Sequence, residues 1–125
     1  FKTMGKEIDA EFDQLLQAGG YDHNWCLKHE RGVFSLAAEA KDETSGRHLS
    51  VYTDQPGVQF YTANGLKEEN GKNGAAYGPR EAFCFETQNW PDAVNQPHFP
   101  SPVLKAGEEF VSRTGYRFDT EDEAE

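Results

Sequence analysis

Residues 83–91 read Phe-Cys-Phe-Glu-Thr-Gln-Asn-Trp-Pro, an aromatic, strand-like run that holds one carboxylate near its centre and ends at a proline. Because side chains alternate across a β-strand, Phe83 and Phe85 share one face and Glu86 lies on the other. An ionised carboxylate is costly to bury, because it loses its hydration. The run therefore predicts a strand in which Glu86 either lines a polar cavity or forms a salt bridge with an arginine.

The two-residue period of a strand recurs through most of the chain. Four further segments show it: residues 33–40, 49–54, 58–62 and 110–118. The charged stretch at 41–47 contains a Gly and predicts a hairpin turn. Gln55-Pro56-Gly57 predicts a bend or bulge, because proline cannot donate a hydrogen bond to a ladder. We predict an all-β protein of about six antiparallel strands.

One short helix is predicted near the start of the chain. Its apolar positions recur at helical spacing: Ile8, Phe12, Leu15 and Leu16. Asp9 is a candidate cap for its first turn, and Gly19-Gly20 is a typical helix end.

The composition limits the partners. A chain of 125 residues forms at most one domain, and its net charge of −10 argues against binding to nucleic acid or to an anionic membrane surface. No apolar run approaches the ~18 residues of a membrane span. We expect the acidic end, residues 119–125, to be a solvated, disordered tail after a domain of residues 1–118.

The chemistry of metals and thiols is weakly represented. The four histidines show no metal-ligand spacing, so we predict no metal site. Cys26 and Cys84 are too few for a disulfide scaffold, and a reduced, cytoplasmic protein is the expected class.

Two more polar residues are candidates for a site. Asp22 stands where the Gly-Gly-Tyr-Asp-His-Asn string of residues 19–24 passes from a turn into a strand, and Gln59 faces away from the apolar side of its strand. Each has an ordinary alternative: Asp22 bonds nearby turn amides, and Gln59 faces solvent. For Glu86 the alternative is a salt bridge to Arg80 or Arg113.

Four motifs together resemble the aldose 1-epimerase (galactose mutarotase) family. They are Gly-Gly-Tyr-Asp-His-Asn at 19–24, Val-Tyr-Thr-Asp-Gln-Pro-Gly-Val-Gln-Phe-Tyr-Thr at 51–62, Glu-Thr-Gln at 86–88 with Pro-Asp-Ala at 91–93, and Phe-Pro at 99–100. They follow the family's order and span nearly the whole chain. Small departures are Trp25-Cys26 after Asn24, and Ala63 before Asn64.

The resemblance implies a large antiparallel β-sandwich that binds a free hexose and interconverts its α and β anomers without a cofactor. It implies that Glu86 is the catalytic base and that Asp22 and Gln59 bind sugar hydroxyls. In the family, the general acid, a histidine, lies in the N-terminal half, and none of the four histidines here sits in that motif. The chain is therefore expected to be the C-terminal portion, nearly inactive alone, with the N-terminal half as its partner.

The residues alone leave three other functions to consider. Glu86 and Asp22 form a candidate carboxylate pair for a glycoside hydrolase. A non-catalytic, sugar-binding β-sandwich requires only the hydrogen-bonding groups. A relative that acts on hexose 6-phosphates needs a basic phosphate pocket, which the net charge of −10 disfavours.

Overall fold

The computed structural model describes residues 1–120. It contains one short α-helix, α1 (Asp13–Ala18), three single turns of 3₁₀ helix (Met4–Glu7, Lys72–Gly74 and Ala93–Asn95) and six strands. The strands are β1 (Asp22–Cys26), β2 (Ser35–Lys41), β3 (Arg47–Thr53), β4 (Gly57–Tyr61), β5 (Cys84–Gln88) and β6 (Thr114–Thr120). The fold is all-β, as predicted.

The strands form two sheets, in the orders β1-β4-β5 and β2-β3-β6. In the second sheet β3 is the central strand and pairs antiparallel with both neighbours, with Val51 opposite Ala38 and Tyr116. Val51 is fully buried. This mainly antiparallel, two-sheet architecture with one short helix is consistent with the expected β-sandwich.

The chain divides into two compact units. The first comprises residues 1–23 and 59–86, and the second comprises residues 24–58 and the chain from 87 onwards. The domain bounds expected from the sequence, 1–118, stay a prediction. Two residues of the expected tail, Asp119 and Thr120, instead belong to β6 and pair with His48 and Arg47. The rest of the predicted tail lies outside the described residues.

The helix in the first unit is shorter than the sequence pattern predicts. It begins at Asp13, and Ile8 instead follows the 3₁₀ turn Met4–Glu7. Asp9 does not cap it, because its carboxylate pairs with the guanidinium of Arg80. The predicted end is confirmed, since Gly19 has φ of 67° and its N–H bonds the carbonyl of Leu15.

The Gln55-Pro56-Gly57 bend connects strands of two different sheets. The chain leaves β3 at Thr53 and enters β4 at Gly57, and these strands belong to different sheets. The polar groups of the bend find partners other than a ladder. The carboxylate of Asp54 accepts hydrogen bonds from the backbone N–H and Nε of Arg113, and the carbonyl of Pro56 accepts one from Nε1 of Trp90.

No helix among residues 1–120 is long and apolar enough to cross a bilayer.

Candidate functional site

An aromatic cluster in the first unit fixes the faces of three strands. The rings of Phe60 and Phe85 stack with centroids 5.4 Å apart, Tyr21 lies 5.3 Å from Phe60, and Phe83 lies 5.4 Å from Phe85. These aromatic residues therefore share one face. Their chain neighbours Asp22, Gln59 and Glu86 point to the opposite face, because successive side chains alternate.

We call this opposite surface the site face and define it by Asp22, Gln59 and Glu86. The sheet order places β4, which carries Gln59, between β1 and β5, which carry the two carboxylates. The sequence prediction that Glu86 turns away from Phe83 and Phe85 is confirmed by the ring contacts of those two residues. The roles of the three residues stay predictions.

Asp22 and Gln59 are brought together directly. Nε2 of Gln59 donates a hydrogen bond of 2.7 Å to Oδ1 of Asp22, across 37 residues of sequence. Asp22 is exposed and Gln59 is half-buried. The carboxylate is thus held by a strand neighbour, in contrast to the alternative in which it bonds only nearby turn amides. Gln59 has a protein partner, in contrast to a purely solvent-facing amide.

The two arginines that were alternative salt-bridge partners for Glu86 pair with other carboxylates. Arg80 forms two hydrogen bonds to Asp9, at 2.6 and 3.1 Å, and Nε of Arg113 lies 3.0 Å from Oδ2 of Asp54. Glu86 itself is exposed. Within residues 1–120, no hydrogen bond or ion pair reaches its carboxylate, so it is available to a ligand.

His23 lies on the other side of β1. Its ring meets that of Tyr21 edge to face at 6.1 Å, and its Nδ1 accepts a hydrogen bond from the backbone N–H of Asp22. The alternation of β1 places His23 with the aromatic cluster and away from the site face. This placement favours a structural histidine over a proton carrier that acts beside Asp22.

In the second unit, a polar pair for which the sequence predicted no role lies farther along the strands. Nε2 of Gln88 donates a 3.0 Å hydrogen bond to Oδ1 of Asn24. A Cβ on Gly57 would lie 2.9 Å from Cδ1 of Trp90 and closer still to Oδ1 of Asn24. Gly57 was the sequence signal for this close packing, because a glycine in a strand often marks a place where other groups approach the backbone closely.

Metal-ligating side chains do not cluster in the described part of the chain. Among residues 1–120, no group of three His, Cys, Asp or Glu side chains is arranged to hold a metal ion. Cys26 and Cys84 are both exposed, free thiols.

Comparison with known proteins assigns the family. The model of the family described as aldose 1-epimerase matches residues 2–117. The chain belongs to the aldose 1-epimerase family. The resemblance drawn from its motifs is thereby confirmed.

Curated members of the family align over nearly all of this chain. It is 53% identical over 116 residues to human galactose mutarotase and 51% identical over 116 residues to the bovine protein, in each case covering 92% of this chain and 32% of the relative. It is 32% identical over 122 residues to aldose 1-epimerase of Escherichia coli K12, which covers 96% of this chain and 35% of the relative. The chain therefore spans about a third of the length of these relatives.

Proposed function

We propose that the protein carrying this chain is an aldose 1-epimerase, an isomerase that interconverts the α and β anomers of a free hexose such as galactose or glucose. The observation that carries the proposal is Glu86, an exposed carboxylate on the site face with no partner among residues 1–120. Its strand lies next to the one that carries the Gln59 amide bonded to Asp22. Membership of the aldose 1-epimerase family supports the same activity.

The reaction needs proton transfer at two oxygens. Glu86 takes the proton from the C1 hydroxyl, the ring C1–O5 bond breaks as O5 is protonated, and the open-chain aldehyde results. Rotation about C1–C2 followed by the reverse steps closes the ring as the other anomer. A positioned general base or acid typically contributes ~10²–10⁴-fold to the rate, and a carboxylate without an ion pair can accept the proton.

Asp22 and Gln59 hold the sugar for this transfer. The carboxylate of Asp22 accepts hydrogen bonds from hydroxyl groups, and the Gln59 amide both donates and accepts them. Their mutual hydrogen bond fixes the direction of both groups. Fixed hydrogen-bonding groups matter because misplacing the reacting atoms by ~1 Å can lower the rate ~100-fold.

We propose that the acid that protonates O5 lies in the part of the full-length enzyme that this chain does not cover. Its coverage of about a third of the relatives' length supports this, as does the position of His23 on the aromatic face. The N-terminal part, which this chain does not cover, is the proposed partner, and the isolated chain should be nearly inactive. The two free thiols support a reducing, cytoplasmic location.

The test is polarimetry of freshly dissolved α-D-galactose with the full-length protein and its Glu86→Gln variant. We expect the variant to lose ~10²-fold or more of the rate while calorimetry still detects galactose binding. Glu109→Gln is the matched control, because it makes the same chemical change at an exposed position outside the strands.

Full activity of Glu86→Gln would overturn the assignment of the base. Galactose binding by the wild type without any rate above buffer would instead indicate a sugar-binding protein. Release of sugar from an alkyl galactoside would indicate a glycoside hydrolase.

A further inference from the structure

The side chain of Asn64, just beyond β4, is bonded to the turn that leads into Asp22. Its Nδ2 donates hydrogen bonds of 3.0 Å to the carbonyls of Ala18 and Tyr21. Ala18 is the last residue of α1, and Tyr21 is the residue before Asp22. A single amide therefore ties both ends of the four-residue turn 18–21 to the end of β4.

Thr62 completes this attachment. Its hydroxyl lies 2.7 Å from Oδ1 of Asn64 and accepts a 3.1 Å hydrogen bond from the backbone N–H of Tyr21. The backbone N–H of Thr62 donates to the carbonyl of Tyr21 at 3.0 Å. Thr62 is only 4% exposed, so water competes little for these bonds. Every hydrogen-bonding group of the Asn64 amide thus has a partner on the turn or on Thr62.

Gly20 shows how closely the turn approaches Asn64. Its φ is +144°, and a Cβ on it would lie 2.9 Å from Cγ of Asn64 and closer still to Oδ1. Glycine is required here on both grounds, because other residues avoid this φ and have no room for a side chain. The turn therefore rests directly on the Asn64 amide.

We infer that Asn64 is a positioning residue for Asp22, an inference that rests on the proposed function. Asn64 holds the Tyr21 carbonyl, which belongs to the peptide bond that leads into Asp22. Gln59 holds the carboxylate of Asp22. Asn64 does not act on the sugar itself. Loss of the Asn64 amide shifts the start of β1, where Asp22 lies. The Asp22 carboxylate is then no longer in position to accept a hydrogen bond from the sugar.

The test variant is Asn64→Asp in the full-length protein. Aspartate has nearly the same shape and keeps the acceptor for Thr62, but it loses both N–H donors and places negative charge beside two carbonyl oxygens. We expect KM for galactose to rise about tenfold or more and kcat to change less, because binding and not proton transfer is disturbed. The matched control is Asn70→Asp, the same change on an exposed loop residue, which should leave KM unchanged.

A double-mutant cycle distinguishes positioning from general damage. If Asn64 acts through Asp22, Asn64→Asp should raise KM in the wild-type background and have little effect in an Asp22→Ala background. Equal effects in both backgrounds would overturn the inference while leaving the proposed function intact. An Asp22→Ala variant with wild-type KM would instead contradict the sugar-binding role of Asp22, and the two failures are thus separable.

If Asn64→Asp does not fold, Thr62→Val enters the same cycle. Valine matches the shape of threonine but lacks the hydroxyl that lies between Tyr21 and Asn64. The same pattern is expected, a raised KM that vanishes when Asp22 is alanine. Additivity in this second cycle would equally overturn the inference.

Discussion

Oδ1 of Asp22 and Nε2 of Gln59 lie 2.7 Å apart, although 37 residues separate them in the sequence. The hydrogen bond joins the first residue of β1 to the centre of β4. Rotation of the Gln59 amide would break its hydrogen bond to the Asp22 carboxylate. Such charge-assisted bonds are among the stronger hydrogen bonds in proteins. The bond therefore holds the Asp22 carboxylate and the Gln59 amide in a fixed mutual orientation.

Replacing Gln59 by methionine should weaken sugar binding. Methionine has a similar length but cannot donate to Asp22, and hydrogen bonds to charged groups contribute about 1.5–3 kcal/mol. Asp22 is exposed and gains water in place of Gln59, so we expect only a small loss of folding stability and little change in Tm. The sugar loses the amide of Gln59 and the fixed orientation of Asp22, so we expect KM to rise about tenfold. Polarimetry over a range of galactose concentrations measures KM.

The matched control for this change is Gln96→Met. Nε2 of Gln96 donates a 2.7 Å hydrogen bond to Oδ2 of Asp92, an exposed amide–carboxylate pair like that of Gln59. It lies outside the site face, so its loss should leave KM unchanged. Equal KM values for Gln59→Met and the wild type would show that the Gln59–Asp22 bond has no part in binding.

Gly57→Ala should destabilise the protein. The added Cβ would collide with the Asn24 amide and lie 2.9 Å from Cδ1 of Trp90, and both side chains are themselves bonded, to Gln88 and to the carbonyl of Pro56. Overpacking of this kind typically costs about 1–3 kcal/mol. Urea denaturation measures the loss. Gly5→Ala is the control, because a Cβ on Gly5 would have no neighbour within 4 Å and no loss is expected there; a stable Gly57→Ala would show that the Asn24 amide can move aside.

The sequence predicted the strands best where alternation was clear. The aromatic alternation around Glu86 predicted both β5 and the face on which the carboxylate lies, because a two-residue period has only one interpretation in a sheet. The helix was predicted too long because apolar spacing cannot show that Asp9 pairs with Arg80, 71 residues away. Contacts this distant in sequence leave no local signal.

The same limit applies to the bend after β3 and to the support of Asp22. Proline and glycine predicted an interruption, but they could not show that the chain passes to another sheet or that Asp54 meets Arg113, 59 residues later. Asn64 lies two residues beyond a motif and had no predicted role, because its partners Ala18 and Tyr21 lie more than 40 residues earlier. Sequence showed which residues carry chemistry, and long-range pairing decides which of them meet.

The buried carboxyl of Asp54 should make the stability of the fold depend on pH in acid. Burial of this carboxyl, whose side chain is 6% exposed, acts to raise its pKa, but hydrogen bonds from the backbone N–H and guanidinium of Arg113 and from Gln55 outweigh burial. Its pKa in the folded protein therefore lies below its ordinary value. A lowered pKa means that the unfolded chain binds the proton more readily, so Asp54 stabilises the fold above about pH 4, and this contribution disappears as the pH falls further.

Asp54→Asn should therefore lower the free energy of unfolding at pH 7 by about 1–3 kcal/mol, because the buried charged acceptor of these hydrogen bonds is replaced by a neutral one. It should also flatten the decline of stability as the pH falls below about 4, measured by urea denaturation at a series of pH values. Glu109→Gln removes an exposed carboxylate and should keep the wild-type slope. A slope for Asp54→Asn as steep as that of the wild type would show that other carboxyls govern acid unfolding.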